Sequence, residues 1–390
     1  MVIFGGNVKV LLHIGQSKTG TSAIQAFLTL NRKTLQEAGV LYPVARVSGM
    51  PVEMGAHNAV ADALVGLSRF PYIDAEEYFA QFFAEAAQLK AELLILSAEH
   101  FFGGEPRIWD TNDSDEYFEL YEQKIKRLAE FLQGHEVSII VYLRPQLDWL
   151  ASAVGQTVRI QRLISDRVLY EDDKQFFELM KPLLMYSKLL DIWSETLKPV
   201  NFAVIPYIRE TLYKKSSISD FLFRAGLEHI RFPYASHDVQ VNKSLTREYL
   251  EVKKLLNRTP RSKTSERVVI HILEKLSETS DMSSDYSLDP AVRQKLELLC
   301  EQDNERLNDR YRVEGIAFSS RGKSDRDEST VEETRIAAAM LRFEKEYHSL
   351  HGWLLWTHFA IKNFLRNHCR PLHALLHQFK MAGIKHKYKN

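Results

Sequence analysis

Residues suited to binding an anion are concentrated in one short turn near the start of the chain. Residues 15–22 read Gly-Gln-Ser-Lys-Thr-Gly-Thr-Ser. Glycines at a strand-to-helix turn let backbone N–H groups close around an anion, and the N-terminus of the helix adds partial positive charge. The amine of Lys18 adds a full charge. The residue types therefore predict an anion-binding loop that consists of Gly15, Lys18, Thr19, Gly20, Thr21 and Ser22.

The position of the lysine separates two classes of enzyme. In kinases and nucleotide triphosphatases the loop lysine follows the second glycine, and a metal-binding Ser or Thr comes next. Here Thr21 follows Gly20, and Lys18 lies two residues before that glycine. This order disfavours a kinase or another NTP-binding enzyme, which stays as an alternative. The other alternative is a non-catalytic binding protein that keeps a nucleotide-binding fold.

A second anion-binding pair follows the apolar run 137–143. Arg144 comes directly after this run, at the carboxyl end of an expected strand, where open α/β sheets bind ligands. Pro145 suits the first position of a helix. Ser152 lies eight residues beyond the arginine, a rise of roughly 12 Å if every residue is helical. Because the arginine side chain is long, we expect Arg144 and Ser152 to reach the same phosphate.

These two motifs resemble those of PAPS-dependent sulfotransferases, including bacterial sulfotransferase-like proteins. The family's 5′-phosphosulfate loop reads Pro-Lys-Thr-Gly-Thr or Pro-Lys-Ser-Gly-Thr, and this chain departs from it at Ser17. Arg144 with Ser152 resembles the family's 3′-phosphate motif. Weaker similarities to the family lie at residues 35–43, 204–212, 220–226 and 304–311. With them, the resemblance covers about residues 8–316 of this chain.

The resemblance implies a donor, a product and a class of acceptor. The donor is PAPS, the product is PAP, and the sulfuryl group passes to a hydroxyl or an amine. A saccharide or glycolipid is the favoured acceptor, although a lipid, a small phenol or a tyrosine stays open. Lys18 is expected to stabilise the leaving phosphate, and no metal is expected.

Three residues are candidates for the base that removes the acceptor proton. The resemblance allows either a Glu or a His. Glu99 is our first choice and His100 our second, because both follow the apolar run 93–96 and are expected to face the loop. His57 is the third. Each of them equally fits an ordinary polar residue at the end of a strand or helix.

The pattern of apolar residues predicts the elements that position these motifs. Four short apolar runs read as strands, at residues 8–14, 93–96, 137–143 and 201–205. Helical periods occupy residues 22–38, 75–89, 117–132 and 147–163, and residues 244–308 are mostly helical. This alternation predicts an α/β, P-loop-type three-layer fold with a central parallel sheet flanked by helices, plus a helical C-terminal extension.

Composition excludes several classes of protein. Lys plus Arg equals Asp plus Glu at 51 each, so no nucleic acid is expected as a partner. Two cysteines, Cys300 and Cys369, cannot form a disulfide framework or a four-thiolate metal site. No basic segment with a long apolar run precedes the first strand, which favours a cytoplasmic location. The sequence does not determine whether the chain forms homo-oligomers.

The C-terminal part differs from the rest of the chain. We expect a sulfotransferase domain at residues 1–320, a polar linker at 321–334, and a basic aromatic helical extension at 335–390. Residues 351–390 contain seven Lys or Arg and no Asp or Glu. A basic amphipathic helix is typical of peripheral contact with an anionic membrane, here the inner membrane face. The other interpretation is a helical hairpin packed on the domain or on a second subunit.

Overall fold

The computed structural model describes residues 8–44, 46–47, 50–51, 56–65, 74–104, 107–165, 168–234, 244–283, 286–313, 331–349 and 352–360. The strands are β1 Lys9–His13, β2 Val40–Leu41, β3 Arg46–Val47, β4 Met50–Pro51, β5 Leu93–Ser97, β6 Val137–Leu143 and β7 Asn201–Pro206. The first helices are α1 Thr21–Leu30, α2 Arg32–Glu37, α3 Asn58–Ala63, α4 Ala75–Leu89, α5 Ser114–Phe131, α6 Gln146–Ile164 and α7 Asp173–Leu184. They are followed by α8 Tyr186–Leu197, α9 Ser217–Arg224, α10 Arg247–Asn257, α11 Lys263–Ser277, α12 Pro290–Tyr311 and α13 Glu333–Tyr347.

Five parallel strands form the central sheet, in the order β2-β5-β1-β6-β7. The first strand along the chain therefore lies in the middle, with β5 on one side and β6 on the other. The chain crosses from one side of β1 to the other between these two neighbours. Such a switch point leaves a crevice at the carboxyl ends of the strands. The strands β3 and β4 form a separate antiparallel pair.

Alternate residues of the sheet contribute to two hydrophobic cores. In β1, Val10 and Leu12 belong to a core that also contains residues of α4, α5 and α6, whereas Leu11 belongs to a core with α1 and α9. Because successive side chains of a strand point to opposite faces, the two cores lie on opposite faces of the sheet. The predicted parallel sheet flanked by helices is confirmed.

The helix predicted at residues 22–38 is two helices in the structure. α1 ends at Leu30 and α2 begins at Arg32, with Asn31 between them. The side chain of Asn31 donates a hydrogen bond to the carbonyl of Phe27 at 2.9 Å. An asparagine side chain that bonds to the backbone in this way competes with helix continuation. Hydrophobic periodicity runs through the break, so the pattern did not reveal it.

The C-terminal helices pack on the same core as the sheet. α13 contacts α10 and α11, and its residues Ala339 and Phe343 are buried in the core that contains α6. Most of the predicted linker at 321–334 and all of 361–390 lie outside the described residues. Residues 352–360 are helical. Within the described part, no helix has the length and apolar character needed to cross a bilayer.

Candidate functional site

The predicted loop, Glu99 and Arg144 lie where the carboxyl ends of three neighbouring strands meet. In the sheet register, His13 at the end of β1 aligns with Ser97 at the end of β5 and with Ile140 in β6. The predicted anion-binding loop follows β1, Glu99 follows β5, and Arg144 follows β6. The switch point of the sheet thus brings the loop together with residues that are about 80 to 130 positions away in the sequence.

The backbone of the loop depends on its two glycines. Gly15 has a φ of 105° and Gly20 has a φ of 80°, which are values that favour glycine. A Cβ atom on Gly20 would lie 2.7 Å from Ser217 Oγ and 3.1 Å from the Tyr207 hydroxyl. Gly20 is also the residue that precedes α1, and among the described residues no side chain caps this helix. The first turn of α1 therefore has the arrangement of a helix N-terminus that binds an anion.

Positive charge is concentrated around Lys18. Burial lowers the pKa of Lys18, and the nearby guanidinium groups of Arg159 and Arg144 lower it further. Glu99 raises it, although its effect is smaller. Like charges at close range disfavour the protonated form of each other. Three cations thus lie near the loop, and two carboxylates, Glu99 beside Lys18 and Glu274 paired with Arg159, offset part of their charge.

Gln16 fastens the loop to the turn that carries Arg144. Its side-chain oxygen accepts a hydrogen bond from the Arg144 backbone amide at 3.1 Å, and its side-chain amide donates to the Tyr186 hydroxyl at 3.0 Å. The Tyr186 hydroxyl donates in turn to the Arg144 carbonyl at 2.9 Å. All of these contacts hold the two predicted anion-binding segments at a fixed spacing. The sequence analysis gave no role to Gln16, although it lies inside the loop, and it missed Tyr186, which belongs to no motif.

The helix α6 carries Ser152 and a further cation. Ser152 is half-buried on this helix, eight residues after Arg144. Arg159 comes seven residues later, which is two helical turns, so it shares a face with Ser152. It is paired with Glu274 of α11 and donates to the Gln156 side chain at 3.0 Å. The heptad spacing after Ser152 is the signal by which the sequence could have revealed Arg159.

Two of the candidate bases lie in a short 3-10 turn directly after β5. Glu99 is half-buried and accepts a hydrogen bond from the Thr21 hydroxyl, so it contacts the loop. His100 Nδ1 lies 2.7 Å from a carboxylate oxygen of Asp62, and the His100 side chain is 39% exposed. Asp62, in α3, therefore orients this imidazole. Sequence reasoning missed Asp62, which no motif marks.

His57, the third candidate, occupies a different environment. It is fully buried, with Nε2 at 3.2 Å from the Pro43 carbonyl, and its Nδ1 accepts from the Ser97 amide at 3.1 Å. Its ring also packs edge-on against Tyr42 and Phe82. Burial lowers the pKa of His57 to about 4. Backbone groups occupy both ring nitrogens, so we place His57 last among the three candidates.

The described residues contain no cluster of three or more His, Cys, Asp or Glu side chains that could hold a metal ion. Comparisons with known proteins found no family model, no curated protein and no solved structure that matches the chain. Membership of the sulfotransferase family therefore stays a prediction, and the geometry of the site carries the argument for function.

Proposed function

We propose that this protein is a PAPS-dependent sulfotransferase. The observation that carries the proposal is the convergence of Lys18, Arg144 and Arg159 at one end of the sheet, beside a glycine loop that opens α1. PAPS carries a 5′-phosphosulfate and a 3′-phosphate, so it needs several cations and backbone donors held at a fixed spacing. The glycine turn that opens α1 and the three cations beside the loop fit such a ligand.

Each part of the site has a role in this proposal. Lys18 and the loop residues Gly15, Thr19, Gly20, Thr21 and Ser22 bind the 5′-phosphosulfate. Arg144 and Ser152 bind the 3′-phosphate. Arg159 adds positive charge on the side of α6 that carries Ser152. The hydrogen bonds of Gln16 fix the distance between the two phosphate subsites.

The reaction is an in-line transfer between two oxygens. The acceptor oxygen forms a bond to sulfur while the bond from sulfur to the 5′-phosphate oxygen breaks, and PAP leaves with the electron pair. Lys18 stabilises the negative charge that grows on the leaving oxygen. The acceptor proton passes to a base within hydrogen-bond distance. Glu99 is our first candidate for that base because it contacts the loop, and His100 with Asp62 is the second.

The acceptor and the location are proposals of the same kind. We propose a saccharide or glycolipid hydroxyl as the acceptor, and an amine as the variant of the same chemistry. A cytoplasmic site of action fits a donor nucleotide that is present in the cytoplasm.

Calorimetric titration with PAP tests the donor half of the proposal. The wild-type protein should bind PAP without Mg²⁺, and Arg144→Ala should weaken binding by about 1.5–3 kcal/mol, the value of a charge-assisted hydrogen bond. Lys18→Ala should weaken binding as well. Arg162→Ala is the matched control, because Arg162 also lies on α6 but donates to the Asn257 carbonyl.

Two results would contradict the proposal. Absence of PAP binding by the wild-type protein would exclude PAPS as the donor. Mg²⁺-dependent binding of ATP that is tighter than the binding of PAP would instead assign the loop to a kinase or another NTP-binding enzyme. A loss of PAP affinity in Arg162→Ala equal to that in Arg144→Ala would mean that the effect is structural.

A further inference from the structure

An apolar surface lies at the end of the described chain, far in sequence from the donor site. In the helix formed by residues 352–360, Trp353 is 60% exposed, Leu354 is 51% exposed and Trp356 is 45% exposed. On the other side of the same helix, Leu355 and Phe359 pack against the core. Phe359 also contacts the ring of His271 in α11. The helix is therefore seated on the protein while its large apolar side chains face outward.

This surface differs from scattered exposed apolar residues, which are common on proteins. Here two tryptophans and a leucine lie within four residues, on a helix that has no Asp, Glu, Lys or Arg between positions 352 and 360. A tryptophan combines a large apolar area with one N–H donor, and such side chains favour the boundary between water and lipid. The indoles of Trp353 and Trp356 are thus suited to the headgroup level of a bilayer.

The distribution of charge along the sequence favours an anionic occupant for this surface. Residues 361–390 carry 7 Lys or Arg and no Asp or Glu. The chain as a whole has 51 of each sign, so residues 1–360 carry 44 positive and 51 negative side chains, a net charge of −7. An anionic surface attracts the C-terminal part and repels the rest. This asymmetry favours one orientation, in which the C-terminal end faces the anionic surface and the rest of the protein stays in water.

We propose that the helix 352–360, together with the basic residues that follow it in sequence, docks this protein onto an anionic lipid membrane surface. Trp353, Leu354 and Trp356 enter the headgroup region, and the basic residues bind the anionic lipid headgroups. The attachment is peripheral, since the apolar contact is confined to one face of a short helix. The inference does not depend on the proposed sulfotransferase activity.

Vesicle flotation of the full chain tests this proposal. The vesicles contain either neutral phosphatidylcholine alone or phosphatidylcholine with about one third phosphatidylglycerol, which supplies the anionic surface. The test variant is Trp353→Ser with Trp356→Ser. The control is Leu298→Ser, because Leu298 is 65% exposed on α12 and its replacement removes apolar area elsewhere. Neither variant removes a buried side chain, so both are expected to fold.

Tryptophan fluorescence gives an independent readout on the same samples. Of the three other tryptophans, Trp149 and Trp193 are 5% and 0% exposed and Trp109 is half-buried; the double variant keeps all three and supplies the baseline emission. Entry of Trp353 and Trp356 into the headgroup region should shift the emission to shorter wavelength. The double variant should lose this shift.

The expected result is at least tenfold more flotation of wild type with anionic than with neutral vesicles, reduced by high salt. Flotation of the double variant with anionic vesicles should be at least tenfold lower than that of wild type, and Leu298→Ser should behave as wild type. Equal flotation of the wild type and the double variant would overturn the proposal. Sedimentation without vesicles tests a second copy as the occupant: a wild-type dimer that the double variant abolishes would overturn it too. PAP titration of the double variant shows whether its donor site is intact, so a loss of membrane docking can be distinguished from a loss of the donor site.

Discussion

At the scale of single residues, the surroundings of Lys18 disfavour the protonated form of its amine. Burial and two arginines lower its pKa, and only Glu99 acts in the opposite direction. A folded protein tolerates such crowding of like charges where a bound anion compensates for it, and perturbed ionisable groups of this kind concentrate at functional sites. In the proposed reaction the donor phosphates supply that compensation, so the same arrangement binds the donor and stabilises the leaving group.

The base can be identified by conservative substitution at the same scale. We expect Glu99→Gln to lower the turnover number by roughly 10²–10⁴, the usual contribution of a positioned base, while PAP affinity stays within about twofold of wild type. Turnover is measured with PAPS and a saccharide acceptor, and PAP affinity by calorimetry. The amide keeps the size of the carboxylate and its contact with the Thr21 hydroxyl, so the change isolates the proton acceptor.

The variants His100→Asn and Asp62→Asn are the comparison for Glu99→Gln. If the two of them lower turnover together and shift its pH profile while Glu99→Gln stays active, the base is the imidazole that Asp62 orients. A further variant, His57→Gln, is expected to alter the free energy of unfolding rather than the turnover number, because His57 is buried among backbone partners. Full activity in all of these variants would exclude Glu99, His100 and His57 as the base.

At the scale of elements, the junction between the loop and α1 depends on the neighbouring helix α9. Ser217 begins α9 and lies against Gly20, and the two helices pack on the same face of the sheet. The space at Gly20 is thus limited by an element nearly 200 residues away in the sequence. On the other side of the loop, Gln16 forms hydrogen bonds with Tyr186 of α8 and with Arg144, so residues distant in sequence constrain the loop there as well.

Substitution of this glycine should show both its conformational and its steric role. We expect Gly20→Ala to lower the free energy of unfolding by at least about 1 kcal/mol more than Gly134→Ala does, because a Cβ at position 20 would collide with Ser217. Gly134 has a φ of 86°, and no atom of the described part of the chain lies within 4 Å of an added Cβ, so it isolates the backbone cost of about 1–2 kcal/mol. Urea denaturation measures both.

PAP affinity extends this comparison from stability to the site. Gly20→Ala should weaken PAP binding, since the loop must move away from α9, whereas Gly134→Ala should leave it unchanged. Equal stability and equal PAP affinity in the two variants would show that the contact with Ser217 does not constrain the loop.

At the scale of the whole molecule, the folded protein excludes protons from two buried histidines near the sheet. Burial lowers the pKa of His13 to about 3 and that of His57 to about 4. Both contact the end of β5: His13 Nδ1 lies 2.8 Å from Ser97 Oγ, and His57 accepts from the Ser97 amide. Within the described residues His13 Nε2 has no hydrogen-bond partner, so a proton there would be buried without compensation.

These shifts predict that the protein loses stability in mild acid. An unfolded histidine has a pKa of about 6.5, so below that pH the unfolded chain binds protons that the folded protein excludes. The stability is fully present above about pH 6.5 and falls as the pH decreases toward the folded-state values. Between about pH 7 and about pH 5 each histidine should remove about 2 kcal/mol from the free energy of unfolding. Urea denaturation at several pH values measures the slope.

The contribution of one histidine can be separated with a pair of variants. His57→Gln should remove roughly half of this acid dependence, whatever its effect on stability at neutral pH. His229→Gln, at an exposed position, should leave the slope unchanged. A slope in His57→Gln equal to that of wild type would mean that other groups cause the acid sensitivity.

Local chemistry let the sequence by itself predict four of the five strands of the central sheet and most of the long helices, and it is the basis for the two proposed anion-binding motifs. The two-residue strand β2 was not predicted. The runs that became β1, β5, β6 and β7 are short, apolar and bounded by polar residues, so their pattern is strong without tertiary information. Arg144 was placed correctly at the end of a strand for the same reason. The glycines of the loop were informative because a positive φ is a local property of the backbone.

Tertiary structure alone decided which polar residues act together. Gln16 with Tyr186, Asp62 with His100, and Arg159 with Lys18 are separated by 38 to 170 residues, and no local pattern encodes such a pairing. The same holds for His57, which reads as a candidate base in the sequence but is enclosed by backbone partners once the sheet forms. The order of the strands determines these encounters, because it sets which carboxyl ends meet at the switch point.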